Sequence, residues 1–406
     1  MMKATFAMAC FAGYVAARSP LGKLENNPQF VQFIAANNRS YSTHHELQNR
    51  ARIFSSNQEK VRHLNSVSRA SGKSNAAEYK IGQFGDYSEA EFREMSGWKE
   101  ENSSDRVRLY NKRGGLGHHR GGLGVVDATT VDHVKDGHMI GVKNQGSCGS
   151  CWAFAANSAL EGAVSAKTGR DPVRMSEQHL VDCTLRNNSH NMDLFGEDFG
   201  LWGCGGGWMA TAWYFQSKHG VMLDSDYPYT SGRTQTESRC AHDGSKTIGK
   251  VSSWNRIDAS GGLDQVKSKL REQPLTIAVD AGSSHFQFYS KGVVGANDGC
   301  PTGLNHAVVL VGYTEKDGSP SPDPSPEPEP QPDPDNDAEC NVYKWWHSCD
   351  EDNSRRMLKD ANGYDNYWKI QNSWGTGWGD QGFILFEISE GEGVCGMNSY
   401  IEYADM

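Results

Sequence analysis

An α+β fold is the expectation, and three stretches of the sequence carry it. In "HELQNRARIFSSNQEKVRHLN", Glu46, Arg50, Phe54, Asn57, Val61 and Asn65 recur at intervals of three or four residues, which places them on one helical face. Glu46 and Arg50 stand four apart and are expected to form an ion pair. "CWAFAANSALEGAVSAK" is alanine-rich, with Phe154, Leu160 and Val164 at helical spacing. "HAVVLVGY" reads as an apolar strand.

The bounds agree with a soluble body of one or two domains. The chain has 406 residues, of which 37% are hydrophobic, and a mean hydropathy of -0.66. A net charge of -10 argues against a nucleic-acid partner held by phosphate contacts. The N-terminal "MMKATFAMACFAGYVAARS" has a lysine, an apolar run and small residues at cleavage spacing, so residues 1–17 are expected to be a secretory signal. That run is too short to span a bilayer, and no other stretch suffices. The mature chain is therefore expected to meet an oxidising compartment. Asn38, Asn102 and Asn187 head N-x-Ser sequons.

Of ten cysteines, Cys10 leaves with the signal and nine remain, which suggests pairs plus one free thiol. Two of them form the C-x-x-C of "QGSCGSCWAF". A zinc half-site would need two further close ligands, and no second C-x-x-C or H-x-x-x-H follows. A redox pair stays open on local pattern alone. The third reading is a bonded Cys148 beside a free Cys151, and the odd count favours it. Cys151 would then lie in the first helical turn, with Ser147 and Ser150 offering capping hydroxyls. Free N–H groups and the macrodipole there favour a thiolate and a lowered pKa.

"NQGSCGSCWAF" resembles the active-site signature of papain-like cysteine peptidases. "LNHAVVLVGY" resembles that family's histidine strand, and "YWKIQNSWGTGWGDQGF" its asparagine segment. "SEQHLVDC" and "GCGGG" lie between them in the family's order. Singly, such a histidine, glutamine or tryptophan is an ordinary core or loop residue; the joint order carries the resemblance. It implies Cys151 as nucleophile, His306 as its acid–base partner and Asn372 as the group that orients the imidazole. It implies Gln145 and the Cys151 N–H as oxyanion donors, with Trp374 shielding the His–Asn bond. It also implies the disulfides Cys148–Cys204, Cys183–Cys240 and Cys300–Cys395, leaving Cys340 and Cys349 to pair within their own segment. The dominant specificity pocket would be walled by Trp208, Met209, Ala278, Leu304 and Tyr400, with Gly207 offering backbone hydrogen bonds. No cofactor or metal is implied.

The resemblance further implies two lobes, a helical one followed by a β half-barrel, as a peptidase domain over 124–406. Residues 18–123 would form an inhibitory propeptide of cathepsin L type, since the face from Glu46 to Asn65 resembles its ERFNIN signature. In "IGQFGDYSEAEF", Phe84 and Asp86 match the second propeptide motif, while Lys80 and Gly82 depart from it. The repeated GGLG of "RGGLGHHRGGLG" reads as a flexible activation linker. His133 stands where the family usually has tryptophan.

Two insertions depart from the family. That between Cys183 and Cys204 either shapes the non-primed side of the cleft or bulges into solvent. The other, about 315–364, has proline at every second position from Pro320 to Pro334 and then "CNVYKWWHSC". Seven strand residues at about 3.3 Å each place its root roughly 23 Å from the nucleophile, so it is expected to be no lid. It reads as a protein-docking arm or a tolerated loop. The expected protein is a monomeric zymogen of a cysteine endopeptidase in the secretory pathway, lysosome-like, in a digestive vacuole or secreted. Its expected partners are peptide and protein substrates and its own propeptide. The alternatives are a catalytically silent papain-fold binding protein and a papain-like transpeptidase.

Overall fold

The computed structural model describes residues 27–99, 130–316 and 363–406. The signal segment, the GGLG linker, the Asn102 sequon, the Cys340–Cys349 pair and nearly all of the proline-rich insertion lie outside the described residues.

Two helices lead, α1 (Pro28–Ala36) and α2 (His44–Ala70). Asn27 caps α1 by accepting the Phe30 N–H, and Pro28 at N1 sacrifices no intrahelical bond. Thr43 caps α2 in the same way, accepting from Glu46. Phe30 and Phe33 of α1 meet Phe54 of α2 with ring centroids 5.2 and 5.0 Å apart. The polar members of the α2 face satisfy backbone groups of the segment that packs across it. Asn57 donates to the carbonyls of Gly85 and Tyr87 at 3.0 and 2.9 Å. Asn65 exchanges two bonds with Tyr79. The expected Glu46–Arg50 pair does not form: Glu46 accepts from Ser42, and Arg50 reaches Glu91 at 2.8 Å. A partner held by tertiary packing wins over an exposed i, i+4 neighbour. After β1 (Glu78–Tyr79), helix α3 (Glu89–Glu94) opens with a Ser88–Glu91 capping box.

The body begins at β2 (Thr130–Asp132) and supplies helices α4 (Cys151–Thr168), α5 (Glu177–Cys183), α6 (Ser189–Phe195), α7 (Met209–His219) and α8 (Ser231–Thr234). It continues with β3 (Ser253–Ile257), α9 (Asp264–Glu272), β4 (Leu275–Val279), α10 (Ser284–Phe288), β5 (Tyr289–Lys291), β6 (Val293–Val294) and β7 (His306–Thr314). Strands β8 (Tyr367–Gln371), β9 (Phe383–Glu387) and β10 (Ile401–Asp405) complete it. The order across the sheet is β3-β10-β4-β7-β8-β9-β6, with β2 also on β7.

Two apolar cores make two lobes. One gathers α4, α5 and α7 (Leu160, Leu180, Phe215); the other lies within the sheet (Leu310, Ile370, Phe386). Helix α4 is buried on nearly every side, which explains its alanines: small side chains let α7 and β7 approach closely. It stops at Gly169, whose φ of 65° closes the last turn.

The insertion between Cys183 and Cys204 is pinned to the helical lobe through its second half, while Met192 and Leu194 are left in solvent. Phe195 and Phe199 pack on Phe215 of α7, with centroids 5.2 and 5.0 Å apart. Its far end, Trp202, stands edge-on to Trp208 at 5.6 Å. The root of the second insertion is at the end of β7 remote from His306. Thr314 pairs with Tyr367 there, while His306 pairs with Val279 at the other end. A strand of that length runs about 26 Å.

Candidate active site

The loop before α4 delivers Gln145, Cys148 and Cys151. Cys148 is bonded to Cys204, which ties the loop to the glycine-rich turn opposite. The structure also pairs Cys183 with Cys240 and Cys300 with Cys395, and among the described residues Cys151 is the free cysteine. The Ser150 hydroxyl does not cap α4; it bonds the Tyr229 hydroxyl at 2.8 Å.

β7 and β8 deliver the other two groups. His306 opens β7, and Asn372 follows β8, so neighbouring strands set them side by side. His306 Nε2 lies 2.8 Å from Asn372 Oδ1. The Ser373 N–H also donates to that oxygen at 2.7 Å, which fixes the amide with its oxygen toward the ring. Nε2 must therefore carry the proton, and Nδ1 keeps a lone pair. Nδ1 is buried without a hydrogen-bond partner among the described residues. Trp374 stacks on the imidazole at 4.6 Å and excludes water from the His–Asn bond.

Gln145 is oriented as firmly. Its Oε1 accepts the Ser373 hydroxyl at 2.7 Å, so Nε2 must face the cleft. Nε2 donates to the carbonyls of Cys148 and Met95 at 3.0 and 3.1 Å. Met95 belongs to the N-terminal unit. Its neighbours continue across the site: the Gly97 N–H points at Cys151 Sγ at 3.3 Å, and Trp98 bonds the Asn305 carbonyl. Gly97 and Lys99 pair with both backbone groups of Gly207 in a parallel bridge.

Trp98 is buried in the same apolar cluster as Trp208, Met209, Ala278 and Tyr400, with Leu304 packed against it. Its ring stands edge-on to Tyr400 at 5.0 Å. Arg256 lies over the same Tyr400 ring at 4.1 Å. Phe84 and Phe92 rest on Trp374 with centroids 5.5 and 5.2 Å away.

This cover reverses the expected thiol acidity. Burial pushes the Cys151 thiol up to about 11, although the Ala307 and Gly97 N–H groups pull the other way. The helix N-terminus alone would favour a thiolate, but desolvation outweighs it. Burial likewise lowers His306 to about 4, despite the Asn372 bond. Burial thus favours the neutral form of both groups, and Sγ lies 3.5 Å from the N–H of Ala307, the residue after His306.

Two residues, Ser373 and Lys143, position the site without having been assigned a role from the sequence. Ser373 sets both amides. Lys143, buried between Glu161 and Glu177, anchors the loop that carries Gln145, and its carbonyl accepts the Gly375 N–H. Only the apolar setting around three charged residues would have hinted at them.

The comparisons with known proteins agree with this geometry. The papain family cysteine protease profile matches residues 127–404, and the cathepsin propeptide inhibitor domain profile matches residues 30–92. Vignain of Vigna mungo is 34% identical over 285 residues, 69% of this chain and 60% of its own length. The senescence-specific cysteine protease SAG12 of Arabidopsis thaliana is 28% identical over 406 residues, covering 98% of this chain and 96% of its own. Among solved structures, digestive procathepsin L 3 of the Tenebrio molitor larval midgut superposes with a TM-score of 0.66 at 26% identity, covering 96% of this chain and all of that one. On the papain-family match to most of its length, the chain belongs to the papain family of cysteine proteases and carries that family's propeptide inhibitor domain ahead of the protease body.

Proposed function

We propose that the chain is the zymogen of a secretory-pathway cysteine endopeptidase that hydrolyses peptide bonds through Cys151, His306 and Asn372. The observation that carries the reading is the His306 ring, with one nitrogen committed to Asn372 and a lone pair on the other, in the site where Cys151 is the free thiol.

Once residues 95–99 leave, water and substrate reach Sγ. Nδ1 takes the thiol proton, and the resulting thiolate–imidazolium pair is held by the Nε2–H bond to Asn372. Sγ attacks the scissile carbonyl carbon, and its oxygen becomes an oxyanion facing Gln145 Nε2, where Met95 now sits as a carbonyl mimic. Nδ1 returns the proton to the leaving amine. Water, deprotonated by the same nitrogen, then cleaves the thioester and releases the acid.

Three disulfides fit an oxidising route through the cell. Among the described residues no helix is long and apolar enough to cross a membrane. The reading is tested by turnover of a fluorogenic dipeptide after acid treatment. The wild-type chain should hydrolyse it, and His306→Ala should fall by at least a hundredfold. Unchanged turnover in His306→Ala would reject the assignment.

A further inference from the structure

We propose that the body carries a second functional centre, a divalent metal site of the zinc type formed by His133, Asp136 and His138 on the turn that follows β2. The expectation of no metal rested on the cysteines; these ligands are an H-x-x-D-x-H run gathered by a turn.

The turn is tightly built. His133 donates its backbone N–H to Val311 of β7 at 3.0 Å, so it starts from the sheet. Asp136 and His138 then return their N–H groups to the carbonyls of Asp132 and His133 at 3.0 and 2.9 Å. Gly137 between them has a φ of 77°, a left-handed value that folds His138 back over His133. The two Nδ1 atoms end 3.0 Å apart. The nearest donor atoms of all three residues fall within 4.8 Å of one another. Two imidazole nitrogens each about 2.0–2.1 Å from a tetrahedral zinc ion stand about 3.3 Å apart, so the spacing found is close to that of a ligand pair.

The outer contacts point the same way. His133 is 2% exposed, and its Nε2 lies 2.6 Å from the Leu270 carbonyl of α9. Nε2 must therefore hold the proton, leaving the Nδ1 lone pair for a cation, as is usual for metal-bound histidine. A direct hydrogen bond between the histidines would explain two residues but gives Asp136 no role. Among the described residues no side chain pairs with the Asp136 carboxylate. Asp132 is not a fourth ligand, because Lys369 at 2.8 Å, Lys135 at 3.8 Å and two backbone N–H groups occupy it. Asp136 is exposed and His138 half-buried, so water completes the coordination. Two imidazoles and one carboxylate suit Zn²⁺ rather than Ca²⁺ or Mg²⁺, which prefer all-oxygen shells. The metal would clamp the first turn of the protease body onto β7 and α9, close behind the segment where the propeptide ends.

The test uses the full-length chain with Cys151→Ser, which removes the free thiol as a competing ligand. It is dialysed against Zn²⁺ and, separately, Co²⁺, Ca²⁺ and Mg²⁺, beside the same chain carrying His138→Ala or Asp136→Asn. Asp136 is exposed and His138 only half-buried, so both variants should fold. The proposal predicts one more equivalent of Zn²⁺ in the parent than in His138→Ala, visible bands of four-coordinate Co²⁺ only in the parent, and at least tenfold weaker Zn²⁺ binding by Asp136→Asn. Equal Zn²⁺ in all three chains, none in any, or retention of Ca²⁺ in preference to Zn²⁺ would overturn it.

Discussion

At Cys151 two influences oppose each other, and the covering chain decides between them. The first turn of α4 favours the thiolate, while burial beneath Gly97 favours the thiol and holds it near 11. Cys151→Ala should abolish turnover and self-processing yet leave folding intact, since the residue has no disulfide partner; normal thermal unfolding with no detectable peptide cleavage is the expected result. Specificity also resolves to single residues. The pocket filled by Trp98 is apolar and has Arg256 stacked on its Tyr400. A positively charged guest would lose hydration beside a like charge, so leucine or phenylalanine should be cleaved at least about fivefold faster than arginine two residues before the scissile bond, a gap of about 1 kcal/mol. Tyr400→Glu would supply a carboxylate at the pocket wall and should raise arginine cleavage clearly. A peptide library read by mass spectrometry decides this. The residues proposed as catalytic could be picked out because each stands in a long local signature. Ser373 and Lys143 were not, because their roles depend on partners more than two hundred positions away or buried in another element.

Among the elements, α2 and α4 could be read from residues recurring at helical spacing and β7 from its unbroken apolar run, while β8 was read through the resemblance of its segment to the family's asparagine motif. The insertion helix α6 could not, because Phe195 and Phe199 gain meaning only against Phe215. The Glu46–Arg50 pair was misread for a related reason: sequence spacing shows neighbours on one helix but not the Glu91 carboxylate arriving from α3. The second insertion is rooted at the β7 end remote from His306. Deleting Ser319–Asn362 and rejoining by a short turn should therefore leave dipeptide turnover within about threefold of the parent. A hundredfold loss in a folded protein would show that the insertion reaches the cleft. Its root also holds the propeptide, since Asn75 exchanges two bonds with Tyr364. Asn75→Ala should accordingly speed self-processing without changing the mature enzyme.

For the whole molecule the question is whether the buried titratable groups make the cover sensitive to acid. In the proposed mechanism opening moves one proton from Sγ to Nδ1 and exchanges none with solvent, so above about pH 4, where covered His306 is neutral, and below the range in which the opened pair loses its proton, the pair gives no pH dependence. The dependence must come from other groups. Burial raises Glu91, but Arg50 and Ser88 outweigh it and hold the carboxyl below its usual range. A depressed carboxylate stabilises the covered form above its unfolded value, and that contribution is lost as pH falls below about 4.3. In the helical lobe, burial lowers His219 to about 4 and His179 to about 3. A histidine kept neutral in the folded state destabilises it progressively as pH drops below about 6.5. Self-processing should thus accelerate steeply below about pH 4.5, and Glu91→Gln should flatten the profile. The disulfides limit how far this loosening spreads. Cys148→Ala removes a staple worth about 2–5 kcal/mol and frees Cys204, so it should fail to fold rather than merely lose activity.

The central claim is that Cys151 is the nucleophile and that residues 95–99 hold it out of reach. The most direct measurement is labelling with an epoxide thiol-peptidase inhibitor, mapped by peptide mass spectrometry before and after acid maturation. The account predicts no label on the intact zymogen at neutral pH and one equivalent on Cys151 after maturation, with turnover lost in proportion. Label on another residue, or full turnover without label on Cys151, would contradict it.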